Sequence, residues 1–167
     1  MPILSIDPAL RHTGYAVLDG GPRDARALEY GVIANPASLR QTECLRRTFE
    51  AVREIIARHR PAACAVESII YVQSYKTAIT LGAARAAALL AASVAGLPVF
   101  EYPPKRVKQA VVGRGAADKQ QVAFMVRALL GLTETPPADA ADALAIGLTH
   151  LQSHDPRRPL PPDVREL

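Results

Sequence analysis

Cysteine is nearly missing from this chain of 167 residues: there are two, Cys44 on a helix-like stretch and Cys64 inside a strand-like one. Two such positions make neither a disulfide framework nor a zinc spacing, and both read as buried free thiols. The four histidines, His12, His59, His150 and His154, form no ligand spacing either. His150 falls two turns after Asp142 on a similar helix face but reads as a surface residue. Long apolar runs are lacking too. The uncharged stretch 86–97 is too short to span a bilayer and follows Arg85, so no membrane partner is expected. No internal repeat is evident. The first residues enter a strand pattern directly, from which we expect no secretory signal and a cytoplasmic location. Lysine is scarce as well, at 4 of 20 basic residues, against 16 arginines.

What is present fits one domain of ordinary size, with 49% hydrophobic and 22% charged residues. The net charge of +4 points to an anionic partner, and its distribution says more than its sum. Residues 155–167 balance three arginines against Asp155, Asp163 and Glu166, so the excess belongs to the rest of the chain. Residues 103–117 carry Lys105, Arg106, Lys108 and Arg114 with no acid. Such a stretch suits a phosphodiester backbone.

Apolar runs at 3–6, 13–18 and 27–34 read as three strands without room for a helix between them, an antiparallel meander. Helical spacing follows over 39–59 (Leu45, Phe49, Val52, Ile55, Ile56), stopped by Pro61. A buried strand at 62–66 delivers Glu67 to its end, and 68–75 reads as a loop. An Ala-rich helix spans 76–95, a strand 97–100, and two helices 104–112 and 117–130, parted by Gly113-Arg114-Gly115. A last helix covers 139–151. The expected architecture is α/β: a five-stranded mixed sheet, three antiparallel strands first, flanked by helices. The folded domain is expected over 1–153, with 154–167 a Pro-rich, disordered tail.

Four acids carry the chemical signal. Asp7 and Glu67 each close a strand, and Asp139 and Asp142 open the last helix three residues apart, on one face. If the first and fourth strands are neighbours, Asp7 and Glu67 sit side by side. Two like charges ~4 Å apart repel by ~4 kcal/mol at an effective dielectric of ~20. Such a cluster calls for divalent cations, and oxygen-only ligation favours magnesium or manganese over zinc. Taken singly, helix-start acids also serve as caps, and strand-end acids as solvated turns. Lys108 and Lys119 flank the glycine pair and can act as point charges on a phosphate or a water. Tyr71 and Tyr75 flank the loop after Glu67, where an aromatic ring could stack on an unpaired base or pack beneath the loop. Lys76, heading the Ala-rich helix, is a further candidate DNA contact.

These segments resemble the RuvC family of Holliday-junction resolvases, a branch of the RNase H-like nucleases. The resemblance rests on Ile6-Asp7-Pro8 with Thr13-Gly14-Tyr15, Val66-Glu67, Pro98-Val99-Phe100-Glu101-Tyr102 and Val107-Lys108-Gln109. It also rests on the run 111–122 and on Asp139-Ala140-Ala141-Asp142-Ala143-Leu144-Ala145. It implies an RNase H-like fold and a homodimer that nicks four-way junction DNA symmetrically with Mg2+ or Mn2+. Asp7, Glu67, Asp139 and Asp142 fall on the family's catalytic acids, and Lys108 and Lys119 on its functional lysines. The companion implied is a branch-migration motor. The fitting mechanism is two-metal hydrolysis, with Asp7 bridging two ions, Glu67 and Asp142 on opposite ions and Asp139 in support. Two departures stand out: Ala9 replaces the usual Gly after Asp-Pro, and Ile69-Ile70 precede Tyr71 where the family often places Phe. Competing readings are an RNase H-like nuclease of another branched or RNA-containing substrate, and a non-catalytic junction-binding module. An actin-like nucleotide-binding protein would need two such domains.

Overall fold

The computed structural model describes residues 1–69, 72–113, 115–154 and 157–167. The elements run β1 (Ile3–Asp7), β2 (His12–Asp19), β3 (Arg26–Ala34), α1 (Gln41–His59), β4 (Cys64–Glu67), α2 (Tyr75–Val94), β5 (Val99–Tyr102), α3 (Pro104–Val112), α4 (Lys119–Leu130), α5 (Ala138–Ser153) and β6 (Arg165–Glu166). One sheet holds the strands in the order β3-β2-β1-β4-β5-β6. β1, β2 and β3 pair antiparallel, while β1, β4 and β5 are parallel, as helical crossovers require. Alternation along the strands divides the core. Leu4, Ile6, Cys64, Val66 and Val99 face one layer with α1 and α2. Ile3, Ala65, Phe100 and Tyr102 face the other, with α3, α4 and α5.

Two expectations are corrected. The sheet has six strands, not five, and the segment expected to be a disordered tail supplies the sixth. Arg165 pairs antiparallel with Glu101, the Leu167 amide donates to the Val99 carbonyl at 2.9 Å, and Val164 is buried. Asp163 forms a bidentate ion pair with Arg106. The short strand Arg165–Glu166 is hidden in the sequence by the prolines before it. His150 is not a surface residue. It is buried, with Nδ1 2.8 Å from the Tyr102 hydroxyl and its ring packed against Phe100 and His154. Burial, then the neighbouring His154, pushes its pKa down to about 4. The cause is that α5 is buried all round from Ala143 to His150, enclosed by the sheet, α3 and α4, so it has no solvent face there.

β5 begins two residues later than the spacing predicts. Gly96 takes a left-handed φ of 72°, and the amides of Gly96 and Leu97 return to the carbonyls of Ser93 and Ala92, which absorbs Leu97 into the end of α2. Ala9, where glycine is usual, meets no strain. Arg60 is the one non-glycine residue with positive φ among those described, and the Ala9 main chain is held by Thr13. The Thr13 hydroxyl donates to the Ala9 carbonyl at 2.7 Å and accepts from its amide at 3.2 Å.

Helix α5 approaches the sheet closely at two glycines, Gly14 and Gly147. The Ser5 hydroxyl donates to the Ala143 carbonyl at 2.7 Å. A Cβ on Gly147 would stand 2.4 Å from Leu18 Cδ1 and 2.7 Å from Ser5 Oγ, and one on Gly14 would stand 1.9 Å from the Asp139 carbonyl oxygen. The Gly147 contacts are side-chain ends and can shift; the Gly14 contact is helix backbone and cannot. We therefore expect Gly147→Ala to cost ~1–3 kcal/mol in chemical denaturation, the usual range for overpacking. Gly14→Ala should cost more and displace the start of α5. Equal, sub-kcal/mol effects of the two variants would contradict this seating.

Candidate active site

Strand parity aims the acids. Along β1, Ile3, Ser5 and then Asp7 point to the α5 face; along β4, Ala65 and then Glu67 do the same. Because β1 and β4 are parallel with Ile6 opposite Val66, Asp7 and Glu67 end neighbouring strands on one side of the sheet. Asp7 is also opposite Gly14 on β2, and Gly14 is where the Asp139 main chain touches the sheet. One turn of α5 then carries Asp139 and Asp142 past the two strand ends.

The electrostatics bind the four together. Burial pushes the Asp7 carboxyl up to about 7, with the charges of Asp142, Glu67 and Asp139 adding to the rise. Glu67 is raised by burial and then by Asp142, and drawn back by Lys108 and Lys119. The Lys119 ammonium lies 3.2 Å from Asp142 Oδ2, and its own pKa is raised by Asp142 first, with Asp7 and Asp139 contributing. Lys119 is the first residue of α4. Asp118 places it there by capping the helix, accepting from the Gln121 amide at 2.8 Å while Gln121 returns the bond.

Among the described residues, no three Asp, Glu, His or Cys side chains stand close enough to cage an ion as they are. The set nevertheless fits a hard divalent cation in kind: oxygen donors only, mutually repelling, with one carboxylate already taking a cationic ammonium. A cleft of about 550 Å³ opens beside it, lined by Asp7, Glu67, Arg85, Lys105, Lys108 and Gly115. Gly115 leaves room for the stem of Lys105, since a Cβ there would meet Lys105 Cγ at 2.9 Å.

Of the residues singled out from the sequence, the structure gathers Asp7, Glu67, Asp139, Asp142, Lys105, Lys108 and Lys119. It does not gather Arg106, which is engaged by Asp163. Lys76 and Tyr75 are exposed at the head of α2, with Tyr75 90% exposed. Tyr71 and Arg114 lie outside the described residues. Sequence reasoning missed Arg85 as a site residue. Its signal is a single charge in the otherwise uncharged stretch 77–95.

A family model described as crossover junction endodeoxyribonuclease RuvC matches residues 3–150. A crossover junction endodeoxyribonuclease RuvC of Akkermansia muciniphila is 61% identical over 156 residues, 93% of each chain. Another, of Halorhodospira halophila, is 49% identical over 148 residues, 89% of this chain and 88% of its own. Among solved structures, Thermus thermophilus RuvC in complex with a Holliday junction substrate superposes with a TM-score of 0.85. It is 42% identical and covers 90% of this chain and 92% of its own. The yeast mitochondrial Holliday junction resolvase Ydc2, at 10% identity and a TM-score of 0.60 over 89% of this chain and 78% of its own, shares the fold.

The raised Asp7 carboxyl has a thermodynamic sign. Its folded pKa of about 7 lies above the ordinary 3.8, so its ionisation opposes folding. The penalty is absent below pH 4, grows between pH 4 and 7, and is full above 7, on the order of 4 kcal/mol. Asp7→Asn should therefore raise the melting temperature of the metal-free protein at pH 8, with the gain fading toward pH 4. An Asp7→Asn protein that melts no higher than wild type in EDTA at pH 8 would refute the buried, repelled carboxylate.

Proposed function

The chain belongs to the RuvC family of crossover junction endodeoxyribonucleases, and on that premise we propose that it resolves four-way DNA junctions by paired, symmetric nicks. It is a phosphodiester hydrolase, and its family is divalent-metal-dependent. The observation that carries the reading is the meeting of Asp7, Glu67, Asp139 and Asp142 on the α5 side of the sheet, beside a cleft edged with lysines. In this proposal the four carboxylates hold Mg2+ or Mn2+, two ions per site. Bound ions supply Lewis-acid charge at the scissile phosphate and a more acidic water.

The chain's own residues do the rest. Asp7 must shed its proton to act as a ligand, which its burial, and then its position among three other acids, resists at neutral pH. Lys119 has a side chain 81% exposed and reaches Asp142 from the rim, so its ammonium can turn to a phosphate oxygen. Lys108 lowers the Glu67 pKa and lies on the wall shared by Glu67 and Asp142. Lys105 extends the positive edge along the cleft and suits the neighbouring backbone phosphates.

Paired nicks need two sites, and α2 offers a face for a second copy. Ile79, Leu90 and Val94 are exposed on it, and Leu45, Phe49 and Ala87 line an adjoining apolar groove. A homodimer, a branch-migration motor as companion and a cytoplasmic location complete the proposal.

The deciding experiment cleaves a mobile four-way junction beside linear duplex and RNA–DNA hybrid, with Mg2+ and Mn2+ tested separately. Paired nicks confined to the junction are expected; preferential cutting of the hybrid would favour the RNA-directed alternative. Asp7→Asn should abolish cutting and leave junction affinity within about twofold, because an isosteric amide in place of one ligand spares the phosphate contacts. Lys105→Ala and Lys108→Ala should each lower the slope of log Kd against log salt by ~0.9, one phosphate apiece. Arg106→Ala should change it less, since that guanidinium is already paired with Asp163. An unchanged slope in both lysine variants would remove them from the interface.

A further inference from the structure

We propose that Arg85 is a positioning residue for Glu67, holding the end of β4 from the layer opposite the carboxylate cluster. The inference rests on the reading of Glu67 as a metal ligand and adds a residue to it.

The end of β4 lacks a donor. β4 and β1 form a parallel ladder in which the Leu4 amide donates to the Ala63 carbonyl. Continuing by alternation, Ala65 accepts from Ile6, and Glu67 would accept from residue 8. Residue 8 is proline, which has no amide hydrogen. The Glu67 carbonyl thus loses its ladder partner at the very residue whose side chain enters the acid cluster, and a half-buried orphan carbonyl is costly.

Arg85 supplies what Pro8 cannot. Its Nη1 donates to the Glu67 carbonyl at 2.6 Å, and its Nη2 donates to the Glu101 carboxylate. The Arg85 side chain is 12% exposed and that of Glu101 18%, so the fork is largely shielded from water. Glu101 lies opposite Val66 in the β4–β5 register and, by alternation with Val99, faces the α1–α2 layer. Nη2 of Arg85 is therefore paired with Glu101, which faces away from the Glu67 carboxylate, while the side chain also borders the cleft that Glu67 lines. Its hold on Glu67 is through the main chain. The adjoining bond of the Ser68 amide to the Tyr102 carbonyl, 2.9 Å, is then the last ladder contact before the chain leaves the sheet. A guanidinium can satisfy both partners at once because its donors are fixed in one plane; a lysine ammonium on a shorter reach cannot.

The test measures Mn2+ binding to the full-length protein without DNA, by the electron paramagnetic resonance signal of free Mn2+, alongside single-turnover junction cleavage and melting temperature. The variants are Arg85→Met, Arg85→Lys, Glu67→Gln, and Arg85→Met combined with Glu67→Gln. We expect Arg85→Met to weaken Mn2+ binding and slow cleavage ~10–100-fold, the range for residues that orient metal ligands. Junction affinity should hold within about twofold, and Arg85→Lys should recover only part of the loss. In the Glu67→Gln background, Arg85→Met should weaken Mn2+ binding no further, since the group it positions is already disabled. Equal losses in both backgrounds, or a fall in melting temperature with Mn2+ affinity unchanged, would overturn the positioning role. Should Arg85→Met not fold, Arg85→Lys and Glu101→Gln carry the same comparison. A Glu67→Gln protein with wild-type Mn2+ affinity would overturn the Glu67 reading itself, and this proposal with it.

Discussion

The near-contact of helix α5 with the backbone of β2 is the constraint on which the site depends. Gly14 offers no Cβ, so the Asp139 carbonyl can occupy that space, and the Ser5 hydroxyl fastens the helix one turn further on. Because Gly14 is paired with Asp7, the same approach that seats the helix delivers its two acids to the strand-end acid. Small residues along α5 are thus the geometric condition for bringing residues 7 and 139 together, and they fill the core only secondarily.

Folding and function pull apart at that place. Asp7 is buried and four carboxylates share one face, and its raised proton affinity records how poorly both suit the metal-free protein. Compensation comes from cations on separate elements: Lys119 from α4 against Asp142, and Lys108 from α3 near Glu67. Neither lysine is buried, so each can leave when stronger cations or a phosphate arrive. The remainder of the fold is conventional by comparison, with apolar layers on both sheet faces and satisfied ladders.

The parts legible in the sequence were those governed by period and position. Short apolar runs located β1 and β4 and put Asp7 and Glu67 at their ends, and the spacing of Asp139 and Asp142 placed both on one helix face. What escaped depended on partners distant in the chain. His150 looked like a solvent-facing polar residue because nothing local shows that α5 is enclosed on all sides. The last strand was masked by prolines, and Arg106 looked available for DNA because its tie to Asp163 spans 57 positions. Arg85 was informative only once Pro8 and Glu67 were known to be neighbours across a ladder.

The raised Asp7 carboxyl also makes the hydrogen ion a competitor for the oxygens that cations would occupy. Near neutrality a substantial fraction of metal-free molecules carries that proton, and capture of an ion must expel it. Apparent affinity for the cation then depends on acidity as well as concentration, steeply below neutrality and weakly above it. Acidification would disarm such a centre without altering a single contact elsewhere in the fold.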